Sequence, residues 1–177
     1  MHFGNSDVDL DNPQHVEQLR RVFRAANEHR MAIAVHMRPS VTRKRPYGEA
    51  QARVFLDVVF PAAPNVPIQI AHLAGAGGYD DPSVDQALAV FVNAIAKQDP
   101  RMTHVYFDVS GVDMVSGLKR RTSSPRGFGG VGHILYGSDG YGGGNLAPRE
   151  AWAAFLQLPL SDDEFRMIAN NIAPYMK

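Results

Sequence analysis

Four short, almost wholly apolar runs recur along the chain, and they limit its fold more than any other feature of the sequence. They are MAIAVHM at 31–37, PIQIAHL at 67–73, THVYFDV at 103–109 and HILYG at 133–137. Runs of this kind are typical of strands that are covered on both faces, as in a parallel sheet. Helical patterns lie between them, so the sequence predicts an α/β fold made of repeated strand–loop–helix units.

Capping residues indicate where the helices begin. An Asn-Pro pair at 12–13 and an Asp-Pro pair at 81–82 each combine an N-cap side chain with a proline at the first helical position. Further helices are predicted over 48–59, 148–157 and 162–172. The last of these begins with the capping-box pair Ser161 and Glu164. A weaker strand over 2–8 brings the predicted strands to five.

Composition narrows the class of protein. The 177 residues suit one domain with a sizeable core. Lys and Arg number 18, as do Asp and Glu, and this zero net charge argues against a nucleic-acid or anionic-membrane binder. The absence of cysteine excludes disulfides and thiolate chemistry and fits a reducing compartment. With no apolar run near the ~20 residues of a membrane span and no secretory signal, we expect a soluble cytoplasmic protein.

Polar residues stand at the ends of the predicted strands at a regular interval. His36, His72 and Asp108 are 36 residues apart, and Asp139 follows 31 residues later. This interval fits one strand–helix unit, so the four residues occupy equivalent places on successive strands. The carboxyl ends of the strands of a parallel α/β barrel meet at one rim, where active sites are built. We therefore expect His36, His72 and Asp139 to converge.

Two imidazoles and a carboxylate are suitable ligands for zinc or a similar divalent ion. Such an ion acidifies its bound water and polarises a carbonyl, which is hydrolytic chemistry. His36 and His72 each interrupt an apolar strand, where a buried imidazole without a partner is costly. Asp108 is suited equally to a role in this site and to orienting a loop by accepting backbone N–H groups. Arg38 is a candidate residue for binding a substrate carboxylate. The remaining histidines are interpreted as ordinary hydrogen-bonded residues: His2, His15, His29, His104 and His133.

Two glycine-rich segments, HLAGAGG at 72–78 and GSDGYGGGN at 137–145, allow a weaker phosphate-binding interpretation. Neither contains the G-x-G-x-x-G pattern of a dinucleotide site, and the chain has no G-x-S-x-G elbow of a serine hydrolase. Residues 111–132 are rich in Gly and Ser and have no helical stripe. They predict an irregular loop whose basic cluster, residues 119–121 together with Arg126, is solvated rather than bound to phosphate.

Three strand ends resemble a known family. AIAVHM, IQIAHLAG and ILYGSDG look like the C-terminal half of the amidohydrolase superfamily. Within it they are most similar to the amidohydrolase-2 group, which includes metal-dependent hydrolases and decarboxylases of the aminocarboxymuconate-semialdehyde type. EFRMIANNIAPYM resembles the last helix of that group, with Asn171 at its recurrent asparagine. The resemblance implies a partial TIM-type barrel: one N-terminally truncated domain over 1–177, with about five parallel strands equivalent to strands four to eight and flanking helices.

The resemblance also implies roles for the strand-end residues. His36 would be the fifth-strand metal ligand and Asp139 the eighth-strand ligand or base. His72 would be the sixth-strand histidine, which serves as a ligand in some members and activates water in others. The first-strand H-x-H pair of the family has no counterpart here.

Three functions therefore stay open. The first is a metal-dependent hydrolase, with zinc as the expected ion, acting on a C–N or C–O bond of a small molecule. The second is a related metal-dependent decarboxylase, in which Arg38 would hold a carboxylate. The third is an inactive remnant that serves as a binding or assembly module.

Five strands cannot close a barrel that is normally filled by side chains from eight. We therefore expect open sheet edges, and apolar side chains such as Ile33, Val35, Ile68 and Ile70 facing water. Exposed edges promote pairing with another chain, so the sequence predicts self-association into a homo-oligomer.

Overall fold

The computed structural model describes residues 1–40, 42–75, 81–110, 131–140, 147–158 and 160–177. Four parallel strands form one sheet in chain order. They are β1 (Ile33–Val35), β2 (Ile68–Ile70), β3 (Val105–Val109) and β4 (Ile134–Tyr136). Each strand lies inside one of the apolar runs, so the predicted α/β fold with a parallel sheet is confirmed. The sheet is compatible with part of a barrel, and its TIM-type character stays a prediction.

Helices connect and follow the strands. They are α1 (Pro13–Glu28), α2 (Glu49–Val54), α3 (Pro82–Ala96), α4 (Pro148–Phe155) and α5 (Asp162–Asn170). α2 continues into a π-helical turn at Phe55–Val59 and a 3-10 turn at Phe60–Ala62. Further 3-10 turns are Ala71–Ala74, Pro100–Met102, Val131–His133 and Pro174–Met176. Within the described ranges, none of the helices combines the length and apolar character that crossing a bilayer requires.

The predicted helix starts are confirmed by their caps. The Asn12 side chain accepts the Gln14 N–H at 2.9 Å, and the Asp81 side chain accepts the Ser83 N–H at 2.9 Å. Ser161 accepts the Glu164 N–H, and the Glu164 carboxylate accepts the Ser161 N–H in return. The predicted glycine-rich loop lies outside the described residues from 111 to 130.

The expectation that the apolar strand residues face water is wrong. Ile33, Val35, Ile68 and Ile70 are each at most 6% exposed and belong to one core with side chains from α1, α2 and α3. Alternate residues of a strand point to opposite faces, and these four share the face that the helices cover. The other face carries the exposed Ala34 in register with the half-buried Gln69 and Tyr106. Small and polar side chains on that face remove the predicted apolar exposure.

The strand predicted over 2–8 shrinks to a single parallel bridge between His2 and His36. The His36 N–H donates to the Met1 carbonyl at 2.9 Å, and the Phe3 N–H donates to the His36 carbonyl at 3.0 Å. Beyond the bridge the chain turns, since the Ser6 N–H donates to the His2 carbonyl at 3.0 Å. The sequence Gly-Asn-Ser-Asp at 4–7 is typical of a turn, which explains why the strand prediction was wrong there.

Candidate functional site

The carboxyl ends of β1, β2 and β3 bring polar side chains together. His36 follows β1, His72 follows β2, and Asp108 lies within β3. The rings of His36 and His72 meet edge to face, with centroids 5.2 Å apart. His72 Nδ1 lies 3.8 Å from an oxygen of the Asp108 carboxylate. These residues form the strand-end cluster.

The backbone at His72 adopts a conformation that L-residues avoid. His72, Leu73 and Ala74 have φ angles of 54°, 49° and 62°, so three consecutive non-glycine residues lie in the left-handed region. Such residues cost about 1–3 kcal/mol each and persist only where the surroundings hold them, typically at functional sites. The His72 N–H donates to the Asp108 carboxylate at 3.0 Å, and the Tyr47 hydroxyl donates to the Ala74 carbonyl. The turn therefore places the His72 ring through a strained backbone that is fixed at both ends.

One nitrogen of the His72 ring, Nδ1, is hydrogen-bonded to Ser110. Nδ1 lies 3.0 Å from the Ser110 carbonyl oxygen and 2.9 Å from its hydroxyl. Because a carbonyl only accepts, we assign the ring proton to Nδ1, which leaves the lone pair on Nε2. Histidines that ligate metals usually donate their other ring N–H to a carbonyl or carboxylate in this way.

Asp108 orients its neighbours. It is 5% exposed, and its carboxylate accepts from Gln69 Nε2 at 2.6 Å, the His72 N–H at 3.0 Å and the Ser110 hydroxyl at 2.5 Å. The interpretation of Asp108 as a carboxylate that holds a loop by a backbone N–H is therefore confirmed. With three donors in place, the carboxylate is satisfied without a ligand.

His36 is the member of the cluster with an unsatisfied atom. Its Nδ1 is buried and has no hydrogen-bond partner among the residues that the structure describes. Burial first, and then the adjacent His2 and His72 rings, lower the pKa of His36 to about 4. The imidazole is therefore neutral at pH 7, with a buried nitrogen of the kind that requires an explanation such as a bound ligand.

Asp139 lies at the end of β4, beyond β3 as seen from the histidine pair. It is exposed and has a φ of 48°. Among the described residues, no three His, Asp or Glu side chains form a group that could hold a metal ion. Asp139 thus does not complete a ligand set with His36 and His72 in this arrangement, and its role stays a prediction.

Arg38 is buried at the same end of β1. It is 9% exposed, and its guanidinium binds the Asp81 carboxylate at 2.6 Å. Asp81 also caps α3, so the ion pair joins the end of β1 to the start of that helix. A substrate carboxylate at Arg38 would share the guanidinium with Asp81, and this binding role also stays a prediction.

Sequence reasoning missed several residues that contact the strand-end cluster. Gln69 links Tyr175, whose hydroxyl donates to the Gln69 amide oxygen, to the Asp108 carboxylate. Gln69 could have been found, because it interrupts an apolar strand just as the histidines do. Ser110 stands two residues after Asp108, which places both on one strand face at the predicted rim. Tyr175 gives no such signal, since its partner lies 106 residues away.

His2 was interpreted as an ordinary hydrogen-bonded residue, and it does accept a hydrogen bond from the Asn5 N–H at 3.1 Å. It also stacks on His36, with ring centroids 3.9 Å apart and planes 8° from parallel. The bridge at residues 1–3 creates this contact, and no local pattern in the sequence predicts it.

In comparisons with protein-family models, curated proteins and solved structures, nothing matches this chain. The resemblance to the amidohydrolases therefore stays a prediction, and the case for function depends on the strand-end cluster itself.

Proposed function

We propose that the chain is a metal-dependent hydrolase, with zinc as its ion, that cleaves a C–N or C–O bond of a small molecule. The observation that carries this proposal is the contact between His36 and His72 at the carboxyl end of the sheet. Each ring keeps one nitrogen for a ligand: the buried Nδ1 of His36 and the Nε2 of His72.

The chemistry of these donors fits a divalent ion of the zinc type. Zinc binds neutral imidazole nitrogen, and the lowered pKa keeps His36 neutral well below pH 7. The Ser110 carbonyl fixes the His72 tautomer that presents Nε2. A third ligand is required. Asp139 stands exposed at the same end of the sheet but beyond β3 from the histidine pair, so its proposed role as that ligand requires it to approach them when metal binds.

When bound, such an ion polarises a substrate carbonyl and acidifies water. The chain's own residues supply position and proton transfer. Asp108 fixes the backbone of His72, and Ser110 fixes its ring. Asp139 is proposed as the general base and proton acceptor, and His72 as the second catalytic group. The lack of cysteine supports a reducing location such as the cytoplasm.

One observation favours a second candidate, a metal-dependent decarboxylase. Arg38 is a buried cation two residues from His36, and a guanidinium binds carboxylates in a bidentate manner. Release of carbon dioxide from small carboxylic acids would support this reaction, whereas cleavage of esters, amides or lactones supports the hydrolase.

Metal titration tests the proposal. Chelator-treated protein is titrated with zinc and cobalt in a calorimeter, as wild type and as the variants His36→Gln and His72→Asn. Asparagine tolerates the left-handed backbone at residue 72 better than most residues. We expect one equivalent of metal for the wild type and a loss of affinity of at least about 100-fold in each variant, because a ligand is removed.

The exposed His104 provides the matched control, and His104→Gln should bind as the wild type does. A wild-type protein that binds no stoichiometric metal would contradict the hydrolase and favour the inactive binding or assembly module. Activity is then measured on esters, amides, lactones and small carboxylic acids with the metal-loaded enzyme.

A further inference from the structure

We propose that His2 is a positioning residue, whose flat ring holds the His36 imidazole in the orientation that the metal site needs. The part of this inference that concerns metal affinity rests on the proposed function. The part that concerns ring orientation does not, and the two are measured separately.

The backbone brings His2 to His36. Residues 1–3 pair with the end of β1 through two hydrogen bonds, one donated and one accepted by the backbone of His36. In a parallel pairing, residues that lie opposite one another place their side chains on the same face of the sheet. Phe3 anchors the segment, since it is fully buried and meets Phe55 edge to face at 5.6 Å. The stacked contact between the two imidazoles therefore follows from a fixed register.

The ring of His2 is itself held in place. The Asn5 N–H donates to its Nδ1 at 3.1 Å, which puts the ring proton on Nε2. Gly4 lies along the same edge of the ring, where an added Cβ would stand 3.1 Å from the Cε1 atom of His2 and 3.4 Å from its Nδ1. The turn after His2 thus leaves room for the ring and supplies its hydrogen-bond donor.

Ring contacts contribute to the orientation of His36, beside interactions of its imidazole with the backbone of His36 and Arg38. Its Nδ1 makes no hydrogen bond to the described residues, while ring contacts come from His2 on one face and from His72 at an edge. The flat overlap with His2, at a centroid distance of 3.9 Å, is the closer of the two. Without that ring, the His36 imidazole could turn about its χ2 angle, which would exchange Nδ1 with Cδ2 and Nε2 with Cε1 and so move both nitrogens away from their present neighbours.

Two substitutions isolate the stacking. His2→Phe and His2→Leu both remove the acceptor for the Asn5 N–H, and only phenylalanine restores a flat ring. Gly4→Ala is a third variant, which displaces the His2 ring without removing it, because the new methyl group would crowd Cε1. His29→Leu, at an exposed histidine that ends α1, is the control for histidine removal as such.

The first measurement is the two-bond ¹H–¹⁵N correlation spectrum of metal-free, ¹⁵N-histidine-labelled protein. We expect one tautomer of His36 in the wild type, in His2→Phe and in His29→Leu. In His2→Leu the two tautomers should average, and Gly4→Ala should move the signals in the same direction by less. An unchanged His36 spectrum in both His2→Leu and Gly4→Ala overturns the proposal, as does an equal change in His2→Leu and His2→Phe.

The second measurement is cobalt affinity by calorimetric titration. It should fall about tenfold in His2→Leu and stay within about threefold of the wild type in His2→Phe, as for groups that orient a metal ligand. If the wild type binds no cobalt while the spectra change as expected, the proposed function fails and the positioning role of His2 stands. If cobalt binds equally to all variants and their spectra agree, the positioning role fails and the metal site stands.

Discussion

The low pKa of His36, about 4 against an ordinary 6.5, makes the stability of the metal-free protein depend on pH. Between these values the unfolded chain binds a proton at this residue and the folded chain does not. The contribution of His36 to the free energy of unfolding should therefore be complete above pH 6.5, and it should be lost as the pH falls toward 4. The loss from this one group is at most about 3.5 kcal/mol, because each tenfold difference in proton affinity between the folded and unfolded chains is worth about 1.4 kcal/mol.

Urea unfolding between pH 4.5 and 7.5 measures this dependence in chelator-treated protein. His36→Gln removes the titrating ring and should flatten the curve relative to the wild type. The difference between the two curves reports His36 together with its electrostatic interactions with His2 and His72, since the variant removes these at the same time. Parallel curves for wild type and variant would show that the pH dependence does not come from His36.

At the residue scale, the sequence predicted the contact of His36 with His72, because equivalent positions on neighbouring parallel strands must meet. For Asp108 it left two roles open, that of a site residue at the strand end and that of a carboxylate that orients a loop, and the structure shows the second. It did not predict the stacking of His2, since that contact depends on a bridge between segments more than 30 residues apart. It also could not show that Arg38 is paired with Asp81, because the partner comes from another strand–helix unit.

At the scale of secondary structure, α1 and α3 end in the same hydrogen-bonded motif. After α1, the Met31 N–H donates to the Ala26 carbonyl and the Arg30 N–H donates to the Asn27 carbonyl. After α3, residues 98 and 99 make the equivalent pair of bonds to residues 95 and 94. This is the Schellman motif, which places a left-handed residue just past the helix and favours glycine there.

Neither helix has glycine at that position: Arg30 has a φ of 53° and Gln98 a φ of 55°. We expect Arg30→Gly and Gln98→Gly each to raise the free energy of unfolding by about 0.5–1 kcal/mol, because glycine relieves the left-handed strain at some entropic cost. Urea denaturation measures the change. His29→Gly is the control, since His29 has a φ of −88° and should gain nothing. Destabilisation by both left-handed substitutions would contradict the argument.

The existence and order of these elements were predictable, whereas their lengths were not. The apolar runs contain five to seven residues, yet three of the four strands have only three. A strand ends where its hydrogen bonds to the neighbouring strand stop, and after β2 the chain leaves the sheet at once through the left-handed turn at His72. Local sequence shows which segments are buried, but the register of the neighbour decides how many of their residues pair.

At the scale of the whole molecule, side chains and short segments cover part of the sheet's two edges. Residues 1–3 pair with the end of β1. At β4, the Asn171 side-chain amide donates to the carbonyls of Gly132 and Ile134, both at 2.8 Å. Such satisfied edges disfavour edge-to-edge pairing of strands. The face opposite the core helices, which Tyr175 covers only at Gln69, is then the better candidate for contact between copies of the chain.

We expect the wild-type chain to self-associate at micromolar concentration through that face, where Ala34 is exposed in register with the half-buried Gln69 and Tyr106. A second copy would cover the face that a closed barrel would enclose. Sedimentation velocity of the wild type should show a dimer or larger species. Ala34→Glu places a charge on the face and should shift the distribution to monomer, whereas Val22→Glu, on the exposed side of α1, should leave it unchanged. A wild-type protein that sediments as a monomer throughout this range would refute the expectation, because the face would then be stable in water without a second copy.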